Sequence, residues 1–379
     1  MKNVVIAAYA RSPFTPANKG ALITVRADDM TAQVIKALIA KSGVDANDIE
    51  DLILGCAFPE GEQGMNMARL IIPLAELPIS IAGVTLNRFC GSSMQAIHFA
   101  AGAIQMNAGE AFICAGVESM SRVPMGGFNY LPNPELYENY PQAYMSMGET
   151  AENLAQKYNI SRIDQEAFAL LSQQKAYMAQ QQGLLDDEII PIVSQRGATI
   201  AQDGCLRPDS SAAGMAELNP AFSVQGSVTA ATSSPLTDGA AAVLVCSEDY
   251  ANTHGLAKLA RIKSIAVSAC LPEIMGIGLF RHPKALQRAN LTLADMDIVE
   301  LNEAFSAQSL AVLHDLPIAA EKLNIDGGAI ALGHPLGATG ARITGKAASL
   351  LQREDKQYAL ATQCIGGGQG IATILEAVS

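Results

Sequence analysis

Charge is scarce in this sequence and weighted to one sign. Only 16% of the 379 residues are charged, and 25 Lys and Arg face 37 Asp and Glu, a net charge of 25 − 37 = −12. That balance excludes nucleic acid or an anionic membrane as the main partner, so any phosphate-bearing ligand must find local donors. Cys-x-x-Cys pairs are missing. The seven cysteines are scattered and odd in number, which gives no zinc or redox motif and suits a reducing compartment. No uncharged apolar run approaches the ~18 residues of a membrane span, so no integral membrane segment is expected. Met1 to Ala10 has the Lys, short apolar run and Ala-x-Ala end of a secretory signal, yet Val4-Val5-Ile6 running into Arg11-Ser12-Pro13 fits a buried strand and turn better. A cytoplasmic location is the expectation. Apolar residues, by contrast, are plentiful: at 49% hydrophobic the chain can bury a large core and divide into about two or three domains.

Short apolar strand candidates alternate with helical stretches in both halves, which implies α/β layers around mostly parallel sheets. Examples are Asp51 to Cys56, Ala111 to Gly116, Ala240 to Cys246 and Tyr358 to Gln363. An internal repeat is visible. Ala37-Leu38 followed by Asp48-Ile49-Glu50 resembles Ala285-Leu286 followed by Asp295-Met296-Asp297, each reading as helix, turn and strand. After similar intervals the copies reach Phe89-Cys90-Gly91 and Gly333-His334-Pro335, so the halves present a Cys and a His at comparable places. Between Ser119 and Pro235 the texture changes to prolines, methionines and one long polar helix, Ser161 to Gln182, closed by Gly183. This segment reads as an insertion. With six basic against twelve acidic residues it offers no general funnel for phosphates. The expected division is 1–118 plus 236–257 as the first half, 119–235 as the inserted loop domain, and 258–379 as the second half.

Four segments could carry chemistry. Asn87 to Ala96 puts Cys90 just before a helix start, with Ser92 or Ser93 able to cap, where helix-end N–H groups would lower a thiol pKa. Gly327 to Gly340 surrounds His334 with glycines, and His is the natural base for a thiol near neutral pH. Cys364-Ile365-Gly366-Gly367-Gly368-Gln369-Gly370 places a glycine loop between two strands, where backbone N–H groups could meet an oxyanion. It is no dinucleotide fingerprint, because a strand follows it, and Gly340 to Ala347 fails as a phosphate loop because Ala347 stands where a hydroxyl is needed. Asn302-Glu303-Ala304-Phe305 ends the strand candidate Ile298 to Leu301, and Asn302 could equally cap the next helix or hold a catalytic water.

Taken in order, these four motifs resemble the thiolase family over nearly the whole chain, including Met147 to Glu152 and Ser233 to Ala241. Cys90-Gly91-Ser92-Ser93-Met94-Gln95-Ala96 is most similar to the thiolase subunit of bacterial fatty-acid oxidation complexes. The resemblance implies an α/β thiolase fold of two similar halves in a five-layered αβαβα core with an inserted loop domain. It implies an acyltransferase that cleaves 3-ketoacyl-CoA in fatty-acid β-oxidation. Cys90 would be the nucleophile, His334 its base, Cys364 the second acid and base, and Asn302 the holder of a water. Backbone N–H groups of Cys90 and Gly366 would stabilise the oxyanion. Coenzyme A would be a co-substrate, with no permanently bound cofactor and no metal, and Ser234 would touch its pantetheine arm. A homodimer or larger assembly is implied, with a multifunctional hydratase and dehydrogenase subunit as partner.

Two departures stand out. Relatives carry a basic residue where Asn219 precedes Pro220-Ala221-Phe222, which leaves Arg207 as the candidate phosphate contact. Met275 to Pro283 replaces a common Gly-Pro-x-Pro-Ala stretch, so Leu279, Phe280 and Arg281 could reshape the acyl site ahead of Pro283 as a first-turn helix proline. The alternatives are an acetoacetyl-CoA thiolase acting in synthesis, an acyl-CoA-binding relative without turnover, and, on the residues alone, a Cys-His hydrolase.

Overall fold

The apolar run after Asn3 forms the first strand, β1 (Val4–Arg11), buried along its whole length. In a computed structural model that describes residues 2–278 and 284–378, eight further strands extend the sheet on both sides of it. They are β2 (Ile49–Gly55), β3 (Ala82–Leu86), β4 (Ala111–Ser119), β5 (Thr237–Ser247), β6 (Ala260–Ala269), β7 (Ile298–Leu301), β8 (Tyr358–Ile365) and β9 (Gln369–Glu376). Their order is β7-β8-β9-β6-β1-β5-β4-β2-β3, and the short pair Thr15–Pro16 joins beside β5. Only Val5 opposite Arg261 and Ile6 opposite Ala260 link β1 to β6, so the sheet is two halves stitched at one short seam.

Strand direction corrects the expectation of mostly parallel sheets. Among the described residues parallel pairing is confined to β2 with β3, β2 with β4, and β7 with β8, while β1, β5, β6 and β9 pair antiparallel with their neighbours. The reason lies in the connections. The glycines between Ile365 and Gln369 can close only a hairpin, because a parallel return needs a crossover of a dozen residues or more. The wholly apolar run in β5 reports burial on both faces and says nothing of direction.

Alternation along the strands builds the layers. Leu52, Leu54, Ile113 and Leu244 face outward onto Met30, Val34, Ile35 and Leu38 of helix Ala27–Ser42. Ile53, Cys114, Val243 and Val245 face inward onto two central helices, Ser92–Gln105 and Thr339–Arg353, whose Met94, Ile97, Ile343 and Leu350 share one core with them. Beyond the second half-sheet, Leu360 and Ile374 pack under Leu286 and Val312. This is the five-layered helix-sheet-helix-sheet-helix arrangement. The central helices touch where a side chain cannot fit: a Cβ on Gly340 would lie 2.3 Å from the Met94 nitrogen.

The repeat is real in three dimensions. Helix Ala27–Ser42, a turn at Ala46–Asp48 and β2 match helix Lys284–Ala289, a turn at Leu293–Asp295 and β7. Between the adjacent strands β4 and β5 the chain makes its long excursion, which includes the helix Arg162–Gln181. Ser161 caps that helix by accepting from the Asp164 N–H, and Gly183 follows it in the left-handed region at φ 70°. Buried charges fasten the excursion to the core. Arg11 holds Asp203 with two bonds of 2.7 and 2.8 Å and Glu188 with a third, and Glu188 also takes Lys346 of the second central helix at 2.9 Å. Leu279, Phe280, Arg281 and Pro283, expected to shape the acyl site and start a helix, lie outside the described residues. Among the described residues no helix is long and apolar enough to cross a membrane.

Asp203→Asn should unfold at a lower urea concentration than wild type, with a loss of about 3–5 kcal/mol, because Arg11 keeps a buried charge with half its compensation. A midpoint unchanged within error would show that the pair is stabilised elsewhere.

Candidate active site

Cys90 lies two residues ahead of the first central helix, at the end of a tight turn in which Phe89 adopts φ 43°. The expected serine cap is absent: Gly91 occupies the cap position and no side chain caps the helix. Ser92 Oγ instead accepts from the Arg88 N–H and donates to the Phe89 carbonyl, which holds the turn shut. Ser93 Oγ accepts from the Ala341 N–H at 2.8 Å, a direct tie between the two central helices. From the facing strand, Gln363 donates to the Cys90 carbonyl.

Cys364 ends the straight part of β8, opposite Gly370 in the hairpin, and Gly367 and Gly368 turn at φ 77° and 81°. The hairpin turns the Gly366 N–H toward the Cys90 sulfur, close enough to favour the thiolate. Both cysteines are almost fully covered. Burial pushes the Cys90 thiol up to about 11, against the pull of the Gly366 and Cys90 N–H groups. This reverses the expected lowering, because desolvation of a thiolate outweighs one helix end. Cys364 is raised further, by burial first and then by Cys90 beside it.

His334 follows the short helix Ala329–Leu332 through Gly333, at φ 101°, where a Cβ would press on Thr237 and on the Cys205 sulfur. Its backbone N–H donates to Thr237 Oγ1 at 3.0 Å. The tautomer follows from the neighbours. Thr339 Oγ1 lies 3.0 Å from the Pro335 carbonyl and 2.6 Å from Nδ1; with the hydroxyl proton on that carbonyl, its oxygen accepts and Nδ1 carries the hydrogen. Nε2 keeps the lone pair and faces the Asn302 amide at 3.3 Å. Burial, and next Arg342, lowers the His334 pKa to about 3, so the imidazole is uncharged near neutral pH.

Asn302 sits where β7 ends, fully buried, its N–H held by the Thr362 carbonyl. It caps no helix, since the next one begins at Ser306 behind Phe305. Its Oδ1 is buried and receives no donor among the described residues. Ser234 is half-buried, its N–H bound to the Ala304 carbonyl at 3.0 Å while Ser233 bridges to Phe305. The exit of the excursion therefore runs along the Asn302 segment. Arg207 stands apart from this group: its backbone N–H is taken by Gln173, its side chain is exposed, and no hydrogen bond links it to the other candidates among the described residues. Asn219 is exposed too.

Three contributors escaped the sequence. Thr339 fixes the imidazole, and the only signal was a hydroxyl five residues after His334 in the same glycine-rich segment. Gln363 precedes Cys364 and looks like an ordinary strand residue. Glu118, at the end of β4, accepts from the N–H groups of Ala57, Phe58 and Gly337, and so ties the floor under Cys90 to the turn after His334.

Comparison with known proteins identifies the chain's relatives. A family model described as "Thiolase, N-terminal domain" matches residues 4–249, and one described as "Thiolase, C-terminal domain" matches residues 256–377. A 3-ketoacyl-CoA thiolase of Bacillus subtilis (strain 168) is 46% identical, over 99% of this chain and 100% of its own. One of Vibrio cholerae serotype O1 is also 46% identical, with the same coverage. Human mitochondrial 3-ketoacyl-CoA thiolase superposes with a TM-score of 0.91 at 36% identity, over 100% of this chain and 99% of that one. The Bacillus anthracis acetyl-CoA acetyltransferase gives 0.92 at 37% identity, over 100% and 99%.

Nitrogen NMR of imidazole-labelled protein should show His334 as the Nδ1–H tautomer, still neutral as pH falls through 6.5, the ordinary histidine value. Thr339→Val should mix the tautomers and Thr339→Ser should preserve one. Protonation of His334 near 6.5 would contradict the geometry. With two family models spanning almost the whole chain, full-length relatives at 46% identity and the same layered fold, the chain belongs to the thiolase family.

Proposed function

We propose that this chain is a 3-ketoacyl-CoA thiolase, an acyltransferase that uses coenzyme A to cut 3-ketoacyl-CoA into acetyl-CoA and an acyl-CoA two carbons shorter. The observation that carries this reading is the pairing of two buried cysteines, Cys90 and Cys364, with a buried, neutral imidazole held by Thr339 and Asn302. A hydrolase needs one cysteine; a reaction that both protonates a carbanion and activates a second thiol uses two.

In this mechanism His334 Nε2 takes the Cys90 proton as the sulfur attacks the 3-keto carbon. The bond between C2 and C3 breaks, the shortened acyl group stays on Cys90, and Cys364 gives its proton to C2 of the departing acetyl-CoA enolate. The Cys364 thiolate then takes the proton of incoming coenzyme A, whose sulfur attacks the acyl carbon. Cys90 leaves as thiolate and recovers its proton from His334. The N–H groups of Cys90 and Gly366 suit the tetrahedral oxyanion of thioester transfer. His334, with a water on Asn302, suits the enolate oxygen. A high resting thiol pKa fits this order, because the proton passes to His334 only as the sulfur bonds to the substrate carbonyl, so no free thiolate has to persist in the buried site.

Coenzyme A is the co-substrate, with Ser234 along its pantetheine arm and the inserted segment 119–235 holding its nucleotide. Arg207 is the exposed cation available to a phosphate. A homodimer is supported by β3, a sheet-edge strand beside exposed Leu70, Leu74, Ile79 and Val84. Association with a hydratase and dehydrogenase subunit follows from the likeness of the Cys90 segment alone. A cytoplasmic compartment suits the six buried, unbridged cysteines. The likeness to the Bacillus anthracis acetyl-CoA acetyltransferase favours a second reading, an acetoacetyl-CoA thiolase working in synthesis.

The test is coenzyme A-dependent cleavage of a 3-ketoacyl-CoA series from four carbons upward. Turnover on long chains that vanishes in Cys90→Ala, and falls roughly 10²- to 10⁴-fold in Cys364→Ala, is expected. Activity confined to the four-carbon substrate would establish the synthetic reading, and full activity in Cys90→Ala would remove the mechanism.

A further inference from the structure

Glu303 is a buried carboxylate that the mechanism above leaves unused. It follows Asn302, is almost wholly covered, and among the described residues makes no ion pair. Burial raises its pKa, while three donors converge on it. Ser172, on the long inserted helix Arg162–Gln181, donates to Oε2 at 2.6 Å, and the Ile330 N–H reaches the same oxygen at 3.2 Å. Asn324 donates to Oε1 at 2.7 Å.

Each donor leads back to the site. Ile330 belongs to the short helix Ala329–Leu332 that delivers Gly333 and His334. Asn324 uses both ends of its amide on Leu301, accepting from its N–H and donating to its carbonyl, each at 2.9 Å, so it grips the residue just before Asn302. Asn302 is thus pinned from both sides, by Asn324 through Leu301 and by Glu303 through the chain. The fit has no slack: a Cβ on Gly328 would lie 2.0 Å from the Glu303 carboxyl carbon.

We propose that Glu303 is a positioning residue for carbon–carbon bond cleavage, setting the separation of Asn302 and His334 at the enolate oxygen by tying the end of β7 to the segment that delivers His334. The inference rests on the proposed thiolase reaction. Gln is a demanding substitute despite its shape. One orientation puts its NH₂ against the Ile330 N–H, which cannot turn. The other puts it against the Asn324 NH₂, which is locked by Leu301.

Two reactions separate positioning from general damage. Cleavage of a 3-ketoacyl-CoA needs the enolate site, whereas exchange of an acyl group between acyl-CoA and labelled coenzyme A forms the same acyl-Cys90 without breaking a carbon–carbon bond. In the full chain, Glu303→Gln should lower kcat for cleavage about tenfold or more, with KM within about twofold, while exchange stays near wild type. Ser172→Ala, which removes one donor and leaves the other two, serves if Glu303→Gln does not fold, and should lower cleavage about threefold with exchange again spared. Equal losses in both reactions, or cleavage at the wild-type rate in the folded variants, would overturn the proposal. Wild-type protein that exchanges but never cleaves would instead refute the proposed function.

Discussion

The close contact of two central helices is the constraint on which the site depends. Gly340 lets Thr339–Arg353 press its start onto Met94, and Ser93 bonds across to Ala341. Since Cys90 stands two residues before one helix and His334 five before the other, whatever fixes that contact also fixes the spacing of the reactive segments. The half-sheets on either side add the remaining parts, Asn302 from the end of β7 and Cys364 from the β8–β9 hairpin. No element of the site is held by local sequence alone.

Position between two sheets also decides the electrostatics. A thiol at a helix start in water would be expected to acidify, but here loss of solvation dominates and raises Cys90, while the same burial drives His334 down. Both groups are therefore neutral at rest. Charge separates only when a carbonyl arrives to be attacked, so the pair is protected from idle reaction and its thiolate from oxidation. Buried carboxylates obey the same logic in reverse: Glu118 and Glu303 are tolerated because backbone and side-chain donors replace the lost water.

Much of this was legible in the residues. Apolar runs marked β1, β2, β4, β5 and β8, the polar texture after Ser119 marked the excursion, and the glycines around His334 and after Cys364 marked loops where backbone must come close. Strand direction was hidden, because a strand buried on both faces has the same composition whether its neighbours run parallel or not. The supporting polar groups were hidden for a related reason. Gln363 and Glu303 act through partners tens to hundreds of residues away, Thr339 acts on a ring only five residues before it, and a single Thr, Gln or Glu has no pattern of its own. Capping was misjudged where a serine had a better long-range partner: Ser93 spends its oxygen on Ala341.

The central claim is that Cys90, and not Cys364, carries the acyl group. Mass spectrometry of protein acid-quenched after mixing with a 3-ketoacyl-CoA, without added coenzyme A, addresses it most directly. The account predicts an adduct on the Cys90 peptide with the mass of the substrate acyl chain shortened by its two-carbon unit. An adduct on the Cys364 peptide, or one retaining the full chain, would contradict it.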